Sequence, residues 1–247
     1  MDGLTKKQID KAESRDFAKV PGRSLRPRDA ATLILIDRSG GDVRVLMGRR
    51  SVRHAFMPGR YVFPGGRTDP TDSRIPVAAG LAPEEEARLS RAGTRSSAAR
   101  ARAIALSAVR ETYEEAGLLI GRPGPFSTSK THWQGFAEHD VQPSLEGLRF
   151  VARAITPPGR VRRFDTRFLA AWRDDVAVAL PEGGPTNELE ELLWLPLPEA
   201  MELDIPLITR TVLGDLQARL ADDPDLRPGG PVPFYRMRGN RFLRDLL

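Results

Sequence analysis

The stretch Ala98–Ala116 constrains this chain more than any other. Ala105, Ala108, Val109, Thr112 and Ala116 recur at offsets of 0, 3, 4, 7 and 11, the spacing of one helical face. Gly117 follows where a left-handed C-cap belongs. With Ala108 at zero and about 100° per residue, the apolar face covers about 0–100°, while Glu111, Glu114 and Glu115 fall at about 300°, 240° and 340°. Three carboxylates thus share the face turned from the core. Glu111 and Glu115 form an i, i+4 like-charge pair, a loss of a few tenths of a kcal/mol. All three also lie where the helix dipole disfavours anions. Stability alone would place Lys or Arg there, and a local conflict of this kind marks a functional site. A hard divalent cation, Mg2+ or Mn2+, resolves the conflict, because it takes clustered oxygen ligands and keeps waters for a phosphate substrate. The ordinary alternative is a solvated acidic helix end. Arg110 directly before the first Glu, the Gly117 cap and Gly65-Gly66 upstream favour the site.

Around this helix the pattern is β-rich. Ala31–Ile36 and Val43–Met47 are apolar runs flanking the turn Asp37–Asp42, which predicts a hairpin. A short strand breaks at Phe63-Pro64-Gly65-Gly66. Strands are expected at Phe150–Ile155, Arg163–Trp172 and Glu191–Leu195, helices at Pro198–Leu203 and Pro206–Leu220, and a closing strand within Arg227–Leu247. The fold class is α/β (α+β) with a mixed sheet. Residues 67–102 are polar and rich in Ala and Arg, with Pro70, Pro76 and Pro83 and a short helix Pro83–Arg91. They read as an insertion, a surface excursion that shapes the substrate entrance. Residues 1–28 hold eight basic and four acidic side chains, so they carry most of the net charge of +5. They read as a basic flexible tail with a short helix near Thr5–Lys19, ahead of one domain over 29–247.

Several classes are excluded. The largely apolar stretch Ala30–Ile36 is far short of the roughly 20 residues that span a bilayer. No apolar segment of signal-peptide type opens the sequence, so a cytoplasmic location is expected. Cys is absent, which removes disulfides, thiolate metal sites and thiol catalysis. There is no Gly-x-Gly, no Gly-Lys and no Gly-x-Ser-x-Gly. His54, His132 and His139 are scattered, which suggests surface or loop roles. The folded part is near neutral, which argues against nucleic acid.

The residues Gly66 and Arg110-Glu111-Thr112-Tyr113-Glu114-Glu115-Ala116-Gly117-Leu118 resemble the signature of the Nudix hydrolases: Gly, five residues, Glu, seven residues, then Arg-Glu-apolar-x-Glu-Glu-x-Gly-apolar. Gly66 matches the opening glycine, and Arg110, Glu111, Glu114, Glu115, Gly117 and Leu118 match the closing half, with Thr112 in an apolar slot. There are two departures. Gly66 and Arg110 are about 30 residues further apart than the signature has them. The slot of the lone Glu holds Asp72 counting forward from Gly66 and Arg102 counting back from Arg110.

The resemblance implies a Nudix fold, a mixed sheet between helices, and hydrolysis of a nucleoside diphosphate linked to a further group. It implies Mg2+ or Mn2+ held by Glu111 and Glu115, with Glu114 a third ligand or a residue that orients water. It gives Arg110 a carboxylate-pairing role and Gly65-Gly66 a place against the substrate. A fourth carboxylate from a loop often completes such sites, and Glu188 is the candidate.

Arg50-Ser51 followed by Gly59 and Phe63-Pro64-Gly65-Gly66 is similar to a stretch in Nudix enzymes that hydrolyse coenzyme A. The split signature and Arg163–Phe168 look like the peroxisomal-type coenzyme A diphosphatases and their bacterial relatives. Arg50, Arg53, Arg163 and Arg167 are therefore candidate phosphate-binding residues. Phe164, Thr166, Phe168, Ala170 and Trp172 also alternate as one strand face, so this last stretch has a packing role as its alternative. Coenzyme A or acyl-coenzyme A is the expected substrate. ADP-ribose, a dinucleotide or a nucleotide sugar is the alternative, and a non-catalytic ligand-binding module is the alternative from another class. The sequence does not set the oligomeric state, and a homodimer stays open.

Overall fold

The computed structural model describes residues 2–13, 25–53, 57–91 and 97–247. β1 (Arg28–Gly40) and β2 (Asp42–Arg50) form the expected hairpin, turning at Gly41 with φ of 85°. β3 (Tyr61–Val62) pairs with β2 and β4 (Gly65–Arg67) with β1, both antiparallel. β7 (Arg149–Ile155), β8 (Phe164–Trp172) and β10 (Leu189–Pro196) extend this sheet, as does the terminal hairpin β11 (Pro233–Arg238) and β12 (Arg241–Leu246). The strand order is β10-β2-β1-β8-β7-β11-β12. The sheet is mixed: β1–β8 and β11–β7 run parallel and the other pairs antiparallel.

The period of two in β1 divides the core. Ala31, Leu33 and Leu35 point to one face, where α3 (Ala98–Ala116) packs with Ile104, Ala105, Ala108 and Val109. Ile34 and Ile36 point to the other, where α4 (Leu197–Glu202) and α5 (Leu207–Asp222) supply Ala200, Val212, Leu213 and Leu216. A second sheet covers α3 from outside. Its strands β5 (Leu118–Pro123), β6 (Val141–Pro143) and β9 (Val176–Ala179), in order β6-β5-β9, are absent from the sequence expectation. They are too short to show a clear period.

α3 has the bounds read from the sequence. Ser97 caps it by accepting from Arg100 N, and Gly117 ends it at φ of 69°. At Gly117 a Cβ would also stand 2.5 Å from the Gly183 backbone, so glycine is required twice over.

Two expectations need correction. The segment 67–102 is not a surface excursion. Ile75, Leu89 and Ala101 lie in the same core as α3, and α2 (Pro83–Arg91) is anchored by Glu85. That carboxylate is 1% exposed and accepts from Phe150 N and Gly229 N at 2.9 and 3.0 Å. Few apolar residues suffice because the rest of the core supplies the partners. Nor is the N-terminal segment free along its described part. α1 (Lys6–Ala12) carries a Thr5–Gln8 capping box and buries Ile9 completely. The remainder of the expected helix, through Lys19, lies outside the described residues. Among those described, no helix is long and apolar enough to cross a membrane.

Candidate active site

The last two turns of α3 lie against β4, and the absence of a side chain at Gly66 permits the contact. A Cβ there would stand 2.4 Å from the Glu111 carboxylate. Next to it, Glu115 accepts a 2.9 Å hydrogen bond from Gly65 N. Gly65-Gly66 thus faces Glu111 and Glu115.

The loop before β10 closes a third side. Leu180 N donates to Gly117 O, and Thr186 donates to Glu114 O from its backbone N and its Oγ1. Gly184 lies so close that a Cβ would stand 2.3 Å from that carbonyl. This anchoring brings Glu188 in: its carboxylate pairs with Arg50 at 3.1 Å, and its carbonyl accepts from Ser51 N.

Charge follows from this geometry. Burial pushes the Glu115 carboxyl well above the usual range; the Gly65 N–H and Arg50 oppose the rise, and Glu111 and Glu188 add to it. Burial likewise raises Glu111, opposed by Arg110 and reinforced by Glu114 and Glu188. Glu111, Glu115 and Glu188 are therefore mutually repelling oxygen donors, with Arg110 as counter-charge to Glu111 and Arg50 to Glu188 and Glu115. Among the described residues no three His, Cys, Asp or Glu side chains already converge on a metal position. Mg2+ is ordinarily held through one or two carboxylates, waters and substrate phosphates rather than a closed protein cage. The donor chemistry fits such an ion, because two buried carboxylates gain from any added positive charge.

Glu114 is placed apart. Its Oε2 accepts from Arg110 Nη1 at 2.5 Å, and its Oε1 lies 2.5 Å from His132 Nδ1. Arg110 is the centre of a buried network. It donates to Asp72 Oδ2 at 3.1 Å, to Glu111 at 2.8 Å and to the Arg67 carbonyl. Asp72 also accepts from Ser107 Oγ at 3.2 Å and from Trp133 Nε1 at 2.9 Å. Of the two slots open for the lone signature carboxylate, the forward count is the one that reaches Arg110. Arg102 instead donates to the Ser73 and Ile75 carbonyls.

Arg53 lies exposed after β2, and Gly59 N donates to Arg50 O. Arg167 is fully buried and paired with Asp29 and Asp165 at 2.8 and 3.2 Å. Arg163 donates to the Thr156 and Leu25 carbonyls. The structure therefore gathers Gly65, Gly66, Arg50, Glu111, Glu115 and Glu188, turns Glu114 to Arg110 and His132 beside them, and sends Arg163 and Arg167 into the scaffold. His132 and Trp133 were not foreseen; they sit in a three-residue turn, Thr131–Trp133, with no periodic signal.

No family model matches the chain. Over 196 residues it is 29% identical to nudix hydrolase 7 of Caenorhabditis elegans, covering 71% of this chain and 53% of that protein. It thus spans about half the length of that relative. A Nudix hydrolase crystal structure from Alicyclobacillus acidocaldarius superposes with a TM-score of 0.57 at 28% identity, covering 78% of this chain and 92% of the other. The chain has the Nudix fold. A Nudix hydrolase from M. smegmatis, RenU, matches at 16% identity and a TM-score of 0.44 over 85% of this chain and 97% of its own. β4 and α3 hold the residues that resemble the two halves of the Nudix signature.

Proposed function

We propose that this protein is a metal-dependent Nudix hydrolase that cleaves the diphosphate linkage of a nucleoside diphosphate derivative, with coenzyme A or acyl-coenzyme A as substrate. The observation that carries the reading is the cluster Glu111, Glu115 and Glu188 beside Gly65-Gly66, in which burial and like-charge repulsion raise Glu111 and Glu115, with Arg110 on Glu111 and Arg50 on Glu188 as counter-charges. These three carboxylates would hold Mg2+ or Mn2+, which supplies positive charge to the phosphoryl oxygens as they gain electron density. Water adds to one phosphorus, the bridging P–O bond breaks, and two monophosphates leave. Arg50 lends its charge to the same cleft. Arg110 holds Glu111 on one side and Glu114 on the other, and Asp72 fixes Arg110 from behind. Glu114, fixed by Arg110 and His132, orients the attacking water.

The coenzyme A assignment is supported by the loop after β2. Arg50 and Ser51, which open the stretch similar to coenzyme A-cleaving Nudix enzymes, border Glu188, and Arg50 acts on Glu115. Arg163 and Arg167 give it no support. A phosphate-release screen with Mg2+ or Mn2+ against coenzyme A, acyl-coenzyme A, ADP-ribose, dinucleoside polyphosphates and nucleotide sugars tests it. The highest kcat/KM is expected on a coenzyme A compound. Faster cleavage of ADP-ribose would move the substrate assignment, and no turnover on any compound would leave a ligand-binding module.

A further inference from the structure

A groove of about 640 Å³ opens where the two ends of segment 67–102 meet the start of β1. Its walls include Arg28, Arg67, Thr68 and the first turns of α3 at Ala99, Arg100 and Ala103. Small side chains on the helix leave it open.

Its charge is unbalanced. Arg100 holds Asp29 through two hydrogen bonds of 2.7 and 2.6 Å, and Arg167 holds the same carboxylate, so Asp29 is spent. Asp69, also in the wall, turns one oxygen to Thr71 N at 2.8 Å. Arg28 and Arg67 are exposed, and neither guanidinium has a partner among the described residues. Thr68 is 9% exposed, and its Oγ1 is buried without a hydrogen-bond partner. A buried hydroxyl in that state is a standing loss that a ligand oxygen would remove. Two guanidiniums and a hydroxyl are the donor set of a phosphate dianion.

Thr68 follows Gly66 by two residues, a chain length of about 7 Å, and Gly66 backs directly on Glu111. A substrate whose diphosphate lies at Glu111 and Glu115 can therefore set a second phosphate in the groove. We propose that this groove binds a phosphomonoester, and that its source is the substrate, as the 3′-phosphate of a coenzyme A-type compound. This rests on the function proposed above, and it gives segment 67–102 a task in recognition.

Calorimetric titration of the whole chain with 3′-phosphoadenosine 5′-phosphate, AMP and inorganic phosphate tests the site without any turnover. The bisphosphate is expected to bind at least about 10-fold more tightly than AMP, one tenfold step being about 1.4 kcal/mol. Arg28→Glu, an exposed change that leaves Tm in place, is expected to erase that preference, and Thr68→Val to weaken it several-fold. The ratio of kcat/KM for coenzyme A over 3′-dephospho-coenzyme A is expected to fall with Arg28→Glu in the same proportion. A preference that survives Arg28→Glu overturns the site. Inorganic phosphate binding as tightly as the bisphosphate, and lost in the same variant, overturns the substrate as its source. Wild-type protein that binds the bisphosphate through Arg28 but cleaves neither compound refutes the proposed function and leaves the groove standing.

Discussion

Replacing Asp72 by Ala measures how much the Arg110 network contributes. The carboxylate is 4% exposed and accepts from Arg110 Nε, Ser107 Oγ and Trp133 Nε1. Ser107 keeps an alternative acceptor in the Ala103 carbonyl at 2.7 Å. Trp133 does not, and its buried N–H left unpaired costs about 1–3 kcal/mol. Loss of the charge-assisted bond from Arg110 costs about 1.5–3 kcal/mol. Arg110 retains Glu111 and Glu114, so the penalty of a wholly unpaired buried charge is avoided. The expected loss is about 3–5 kcal/mol. At about 2–4 °C per kcal/mol for a chain of this size, Tm falls by about 6–20 °C. Asp72→Asn can keep its oxygen for Trp133 but turns an amide NH2 to Arg110, so it should lose the Arg110 bond alone, about 1.5–3 kcal/mol. Urea unfolding followed by circular dichroism gives both values. A loss under about 1 kcal/mol for Asp72→Ala, with an unchanged m-value, would refute the assignment of Asp72 as the clamp on Arg110.

Glu115→Gln should lower turnover by orders of magnitude with the fold intact. Because burial raises the Glu115 pKa in the folded state, its ionised form weakens the metal-free protein. That loss is absent below the usual carboxylate pKa and grows as pH rises through the raised one. Metal-free Glu115→Gln should therefore melt above wild type at neutral pH and level with it near pH 4. Gly66→Ala should displace the Glu111 carboxylate and reduce kcat at least about 10-fold with little change in Tm, since the atom it meets ends a flexible side chain; unchanged kcat would contradict the contact. Glu85→Ala strands one buried and one half-buried backbone N–H and should cost about 1–3 kcal/mol, whereas a surface excursion would tolerate it. His132→Ala, in an exposed turn, should lower kcat with KM and Tm unchanged, and His132→Asn should restore part of it.

The legible parts of the sequence were those where local and global requirements coincide. Residues 98–116 give their bounds because their apolar spacing, N-cap and C-cap agree, and their conflict with the dipole marks the carboxylates. Asp72 was visible only as one of two slots, since counting along a chain cannot say which end of an insertion returns to Arg110. Segment 67–102 was misread because its Arg-rich composition hides Ile75 and Leu89, which are buried by residues far away in sequence. Arg167 followed the alternation of an exposed strand face, but β8 lies inside the sheet between β1 and β7, where Asp29 and Asp165 supply its counter-charge. His132 carries no local sign at all; only the packing of a short turn over α3 makes it a neighbour of Glu114.

The docking of α1 has a consequence for colloidal behaviour. β12 is the last strand of the large sheet, and an uncovered outer strand offers its amide and carbonyl groups to another molecule. Here residues just before α1 occupy that margin: Gly3 N donates to Phe242 O, Phe242 N to Leu4 O, and Arg244 N to the Asp2 carboxylate. Leu246 and Leu247 lie exposed alongside. Trimming the first dozen residues, a change that leaves the carboxylate cleft untouched, would uncover a sticky margin next to an oily end. Such a variant should keep its turnover when dilute and lose monodispersity as concentration rises, which light scattering across a dilution series would record.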